Sequence, residues 1–122
     1  MDIPKNHQSV MPYLILNDVR GFLLFVQNVF DAEILTEHLD QNNQIMHAEV
    51  QIGNSTIMMG QTNEIWSVSN SGLFVYVANA DSVYQLAIQC GAETIMHLEN
   101  KDYGRTCGVK DPFGNTWWIT SL

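Results

Sequence analysis

The stretch Asp111-Pro112-Phe113-Gly114-Asn115-Thr116-Trp117-Trp118, close to the C-terminus, decides how the rest of the chain is read. Asp-Pro followed one residue later by Gly-Asn is tight-turn chemistry: proline presets φ, and glycine and asparagine accept left-handed torsions. Behind the turn, Trp117-Trp118-Ile119-Thr120 is aromatic and β-branched, which suits a pleated, half-buried surface, so it predicts a strand. The same layout stands about sixty residues earlier, in Val50-Gln51-Ile52-Gly53-Asn54-Ser55-Thr56-Ile57. A pattern stated twice at one spacing marks an internal repeat.

The segments between fill in as two matching halves. Val10 to Leu16 is an apolar run with Pro12 near its start, predicting an edge strand. Asp18 caps a helix whose Phe22, Phe25, Val26, Val29 and Phe30 share one face. Strands follow at Glu33–Leu39, Gln44–Ile52 and Ser55–Met59, with a turn at Asp40–Asn43. In the second half the predicted strands are Leu73–Ala78, Glu93–Leu98, Arg105–Lys110 and Asn115–Leu122, with a loop at Glu99–Tyr103. Asp81 is expected to cap the second helix, which turns Val83, Leu86, Ala87 and Cys90 inward and ends at Gly91.

The fold class is therefore α+β: two βαβββ modules forming a curved eight-stranded mixed sheet or open barrel, with the helices on the outer face. Residues 1–9 are a frayed lead-in, 10–60 the first module, 61–72 a polar linker and 73–122 the second module, all within one structural domain. Matching Asp18 to Asp81 and Gly53 to Gly114 aligns the halves.

Composition bounds the function. With 5 Lys+Arg against 13 Asp+Glu, net charge −8, no basic face for nucleic acid can be assembled. No apolar run approaches the ~18 residues of a membrane span, and Met1 to Gln8 holds no signal-peptide core. Cys90 and Cys107 offer no metal spacing and no disulfide framework, and Cys90 is expected to be a buried thiol. The expectation is a cytoplasmic protein.

Pro12-Tyr13-Leu14, Ile45-Met46-His47-Ala48-Glu49, Phe74-Val75-Tyr76-Val77, Ala80-Asp81-Ser82-Val83-Tyr84, Tyr103-Gly104-Arg105 and Asp111-Pro112-Phe113-Gly114 with Trp117 follow one another from about residue 10 to the end. In that order and on that repeat, the chain resembles the vicinal oxygen chelate superfamily of glyoxalase, bleomycin-resistance and extradiol dioxygenase proteins, and its PhnB-like branch in particular. The resemblance implies a homodimer and, in metal-using members, four His, Glu or Gln ligands from the first and last strands of each module. Carried onto this chain, those places fall at Met11, Met58, Phe74 and Trp118, none of which ligates a hard or borderline metal. No metal site and no cofactor are expected.

Strand parity places Met11, Tyr13, Met58, Phe74, Tyr76 and Trp118 in the cleft, an aromatic and thioether lining suited to a flat or apolar ligand, or else a barrel filled by its own side chains. Met46, Ala48, Val50 and Ile52 should pack under the helices. That leaves His47 and Glu49 on the cleft side, as a polar anchor, a general base, or simply a solvated strand face. Tyr103, in a loop toward the cleft, is a further ligand contact. Lys110 or Arg105 could meet an anionic ligand. His38 and His97 should lie on exposed rims and His7 in the lead-in. Ile65 and Trp66 are candidates for an interface between copies.

Three functions fit these residues. The first is a metal-independent binder of a small planar or apolar molecule. The second is a glyoxalase-type lyase or isomerase with a displaced metal site around His47 and Glu49. The third is a catalytically silent dimeric module.

Overall fold

A computed structural model describes residues 1–122. The elements run β1 (Tyr13–Leu16), α1 (Val19–Phe30), β2 (Glu33–Leu39), β3 (Ile45–Ile52), β4 (Ser55–Gln61), β5 (Gly72–Tyr76), α2 (Ala80–Gln89), β6 (Glu93–Lys101), β7 (Gly104–Lys110) and β8 (Thr116–Ser121). This is the expected pair of βαβββ modules. Each builds its own four-stranded sheet, in the order β1-β4-β3-β2 and β5-β8-β7-β6. The first strand of each module runs parallel to the last, and the other neighbours are antiparallel. The sheets remain separate, so there is no closed barrel.

Helix α1 follows its sequence pattern closely. Phe22, Phe25, Val26, Val29 and Phe30 are all buried, and the Asp18 carboxylate accepts the Gly21 N–H at 2.9 Å. A side chain at position 21 would collide with that carboxylate and with the Phe113 ring. Helix α2 departs from expectation. Its cap is Asn79, whose side chain accepts the Ser82 N–H at 3.1 Å. Asp81 sits in the first turn and takes a two-pronged contact from Arg105, Nε at 2.6 Å and Nη2 at 3.1 Å. The inner face is centred on the buried Ala80 and Ala87, whose small side chains let the helix lie close to the sheet. Leu86, about 100° round the helix from Ala87, is 39% exposed. Val83 and Cys90 are half-buried rather than buried. Gly91, with φ +99°, ends the helix as expected.

The decisive stretch turns out to be the hub of the second module. Asp111 is buried, and its carboxylate accepts four N–H groups: the Phe113 and Asn115 amides at 2.9 Å each, Asn115 Nδ2 at 3.1 Å and Trp117 Nε1 at 2.8 Å. The Asn115 oxygen in turn accepts the Ser71 N–H at 3.1 Å. Trp117, fixed by that bond, packs its ring against Phe30 (centroids 4.5 Å apart) and stacks on Phe22 (6.4 Å), while Phe113 stands edge-on to Phe22 and Phe25. A helix of one module thus packs on the last strand and turn of the other, and one cluster of 22 buried residues spans both. The turns themselves are not equivalent. Gly53-Asn54 closes a two-residue hairpin between Ile52 and Ser55, whereas five residues separate Lys110 from its partner Thr116.

Other local expectations shift for tertiary reasons. In β3, Ala48 and Val50 pack under the helices and Ile52 lies against the core, but Met46 is 38% exposed and Ile45 is buried instead. A register irregularity against β2, between His38 and Leu39, reverses the alternation there. Strand β6 extends to Lys101, so the expected loop shrinks to Asp102-Tyr103. The linker returns along β1: the Ile15 and Ser69 amides exchange hydrogen bonds of 3.1 and 2.9 Å, covering part of that strand's open edge. The lead-in is not frayed. Gln8 Oε1 accepts the buried Thr56 N–H at 3.1 Å, the Asn6 carbonyl accepts the Thr56 hydroxyl, and His7 reaches Glu49.

Candidate functional site

The face of each sheet turned away from the helices carries the functional candidates. The caps Asp18 and Asn79 set the true shift between the halves, so the counterpart of Phe74 is Tyr13 and not Met11. Strand pairing agrees: Tyr13 lies beside Met58 and Phe74 beside Trp118. Met11 precedes β1. The four places where metal-using members of the resembled superfamily hold their ion are therefore Tyr13, Met58, Phe74 and Trp118. Three aromatic rings and a thioether do not fit a divalent cation, which needs imidazole or carboxylate donors. No other set of three His, Cys, Asp or Glu side chains converges as an ion site.

On the first sheet, four polar side chains form a continuous hydrogen-bonded chain. His7 Nε2 meets Glu49 Oε1 at 2.7 Å, Glu49 Oε2 meets His47 Nε2 at 3.1 Å, and His47 Nδ1 meets the Tyr13 hydroxyl at 3.1 Å. An ionised carboxylate only accepts, so His47 donates from Nε2. In the neutral ring Nδ1 then holds the lone pair and accepts from the Tyr13 hydroxyl. Burial alone would raise the Glu49 carboxyl, but the hydrogen bonds from His7 and His47 outweigh it and hold the group below its ordinary range. The His38 ring lies 5.5 Å from that of His47, across the strand pair. The two imidazoles engage different oxygens of the one carboxylate. A groove of about 470 Å³ opens beside Tyr13, with Ile15, Met46 and Gly60 in its wall and Trp66 of the linker at its rim.

On the second sheet the candidates are aromatic. Phe74 and Tyr76 meet edge-to-face with centroids 5.2 Å apart, and Tyr103 stands 6.4 Å from Phe74. All three are about half exposed or more. Trp118 lies flat across Gly108, where any Cβ would strike its ring. A second groove, about 410 Å³, runs past Phe74 and Tyr76 to Pro12 and the β3–β4 turn.

The expected cleft residues are thus gathered in two places rather than one: Tyr13, Met58, His47 and Glu49 on the first sheet, and Phe74, Tyr76, Tyr103 and Trp118 on the second. Tyr13 lines one groove, Phe74 and Tyr76 the other. His38, His97 and Lys110 are exposed, and Arg105 is engaged by Asp81. Ile65 and Trp66 are exposed at 81% and 60%. Sequence reasoning missed His7 as a partner of Glu49, 42 residues away, and Trp66 as a groove wall. Neither carries a local signal. The glycines under Tyr13 and Trp118, Gly60 and Gly108, were legible only as strand glycines that admit a close approach.

No protein-family model matches the chain. An uncharacterized protein of Mycobacterium bovis, Mb0911c, is 26% identical over 121 residues, covering 89% of this chain and 80% of that protein. Among solved structures, TioX from Micromonospora sp. ML1 superposes with a TM-score of 0.75 at 23% identity, covering 94% of this chain and 96% of that one. A PhnB protein from Bacillus cereus gives 0.73 at 16% identity, covering 94% and 100%. A glyoxalase/bleomycin resistance protein/dioxygenase family enzyme from Burkholderia phytofirmans PsJN gives 0.72 at 17% identity, covering 92% and 96%. No helix is long and apolar enough to cross a membrane. With its paired βαβββ modules, the chain has the fold of the glyoxalase and bleomycin-resistance proteins, the vicinal oxygen chelate fold, in the form also seen in a PhnB protein.

Proposed function

We propose that this protein binds a small planar, largely apolar molecule, without a metal at the four customary places, and does so as a homodimer. The observation that carries this reading is the cluster of Phe74, Tyr76 and Tyr103, whose rings contact one another yet remain about half exposed. Aromatic side chains left open to water in a concave setting offer a ligand stacking partners worth about 0.5–1.5 kcal/mol each beyond the area they cover. Trp118, lying flat over Gly108, extends the same surface. A second copy placed over the open sheet faces would turn these surfaces into the walls of a cleft and remove apolar area from water.

Tryptophan fluorescence titrated with a panel of planar aromatic compounds tests the reading. At least one compound should shift the emission, and Phe74→Ala or Trp118→Phe should weaken or silence the response. A panel that produces no shift in the wild-type protein would leave a catalytically silent module as the better account. Size-exclusion chromatography at micromolar concentration should return a dimer.

A further inference from the structure

We propose that Tyr13, His47 and Glu49 form an acid–base relay that removes a proton from a phenol or enol held in the groove under Trp66. This site lies on the first sheet and does not depend on the aromatic face of the second. Three features of the structure lead to it. The first is direction. Glu49 orients the His47 ring so that Nδ1 faces the Tyr13 hydroxyl at 3.1 Å, with the carboxylate behind it at 3.1 Å. The carboxylate is itself braced by His7 at 2.7 Å and is only 12% exposed, so it stays in register while the ring accepts a proton. A carboxylate, an imidazole and a hydroxyl in this order make a base whose protonated form is stabilised where it forms.

The second feature is access. Tyr13 is 51% exposed and forms part of the groove wall, so its oxygen is open to a ligand even while its proton is given to His47. The third is that the side-chain oxygens of the groove's two amides are already committed. Gln61 Oε1 accepts the Val19 N–H at 3.2 Å and its amide donates to the Asn17 carbonyl. The Asn63 oxygen accepts the Ile65 and Trp66 amides at 2.8 and 2.7 Å. Trp66, Ile15 and Met46 give the slot apolar walls, and Tyr13 is the one acid–base group among its lining residues. A flat ring bearing an acidic hydroxyl matches that chemistry.

The step balances without a co-reactant. The ligand hydroxyl donates to Tyr13 Oη; as its O–H bond breaks, the Tyr13 proton passes to His47 Nδ1. The products are the ligand oxyanion, a neutral Tyr13 and a His47 imidazolium against Glu49. The charged and titratable groups facing His47 are Glu49, Tyr13 and, across the strand pair, His38. Tyr13 touches the ligand; His47 and Glu49 act through it.

The test uses 4-nitrophenol, whose phenolate absorbs visibly and whose phenol does not, at the pH where it is half ionised in water. Added wild-type protein should raise the bound ionised fraction to about nine-tenths, a tenfold shift of the equilibrium. Tyr13→Phe keeps the ring and should still bind the probe, read by quenching of Trp66, but without the added phenolate band. Glu49→Gln should lose most of the band shift as well. Trp66→Ala should weaken probe binding severalfold. Equal phenolate bands in wild type and Tyr13→Phe would overturn the relay. Binding insensitive to Trp66→Ala would overturn the groove, whatever the aromatic face of the second sheet does.

Discussion

Asp111→Ala is the most informative stability perturbation in this chain. The carboxylate is 4% exposed and accepts four N–H groups, from Phe113, Asn115 (twice) and Trp117. Alanine removes every acceptor at once, in a place water reaches poorly. Each buried donor left without a partner costs about 1–3 kcal/mol. The half-buried Phe113 amide can find water, so the Asn115 groups and the indole N–H dominate. The four bonds share one hub and do not add independently, which places the expected loss at about 3–5 kcal/mol. Against a total of about 5–15 kcal/mol for a domain, that is a large fraction. Trp117 would also lose the bond that orients it between Phe22 and Phe30, so the damage should reach α1. Urea denaturation followed by far-UV circular dichroism measures it, with an unchanged slope confirming that only stability moved. Asp111→Asn, which keeps one acceptor oxygen but turns an NH₂ toward donors, should fall between wild type and alanine. A loss below about 1 kcal/mol for Asp111→Ala would refute the hub.

Three further outcomes follow from the same geometry. Asn79→Ala should cost about 1 kcal/mol as a lost cap, while Asp81→Ala leaves the urea midpoint nearly unmoved because its ion pair is solvent-exposed. The folded Glu49 carboxyl is held below its ordinary value of 4.5, so its contribution is fully present above that pH and is lost as pH falls through the lower folded value. The stability gap between wild type and Glu49→Gln, from urea curves at stepped pH, should therefore close below pH 4.5, and a gap that widens there would contradict the His7–Glu49–His47 arrangement. Burial pushes the Cys107 thiol up to about 11, so a thiol reagent at pH 8 should label half-buried Cys90 in the native protein and reach Cys107 only after denaturation.

Much of this architecture is written locally in the chain. The α1 stripe of Phe22, Phe25, Val26, Val29 and Phe30 is all buried, because a run of large apolar side chains at helical spacing has one way to leave water. Alternation in β1, β5 and β8 follows from the pleat itself: Tyr13, Phe74 and Tyr76 are exposed while Leu14, Leu16, Trp117 and Ile119 are buried. The turn residues announced both hairpins of the repeat.

Tertiary structure decided the rest, wherever two local readings were equally good or the partner lay far along the chain. Asn79 and Asp81 are both capable caps, and the contact between Asp81 and Arg105, 24 residues away, goes with the choice of Asn79. Met46 left the helix side because of a register irregularity that belongs to the pairing of β3 with β2, not to β3 alone. His7 became part of a site because the lead-in is pinned to Thr56, about fifty residues on. The aromatic and polar candidates were parted because each module closes its own sheet, β1 on β4 and β5 on β8. Periodicity records which way a side chain points relative to its neighbours; it holds no record of what stands opposite, and that is set by the packing of the whole core.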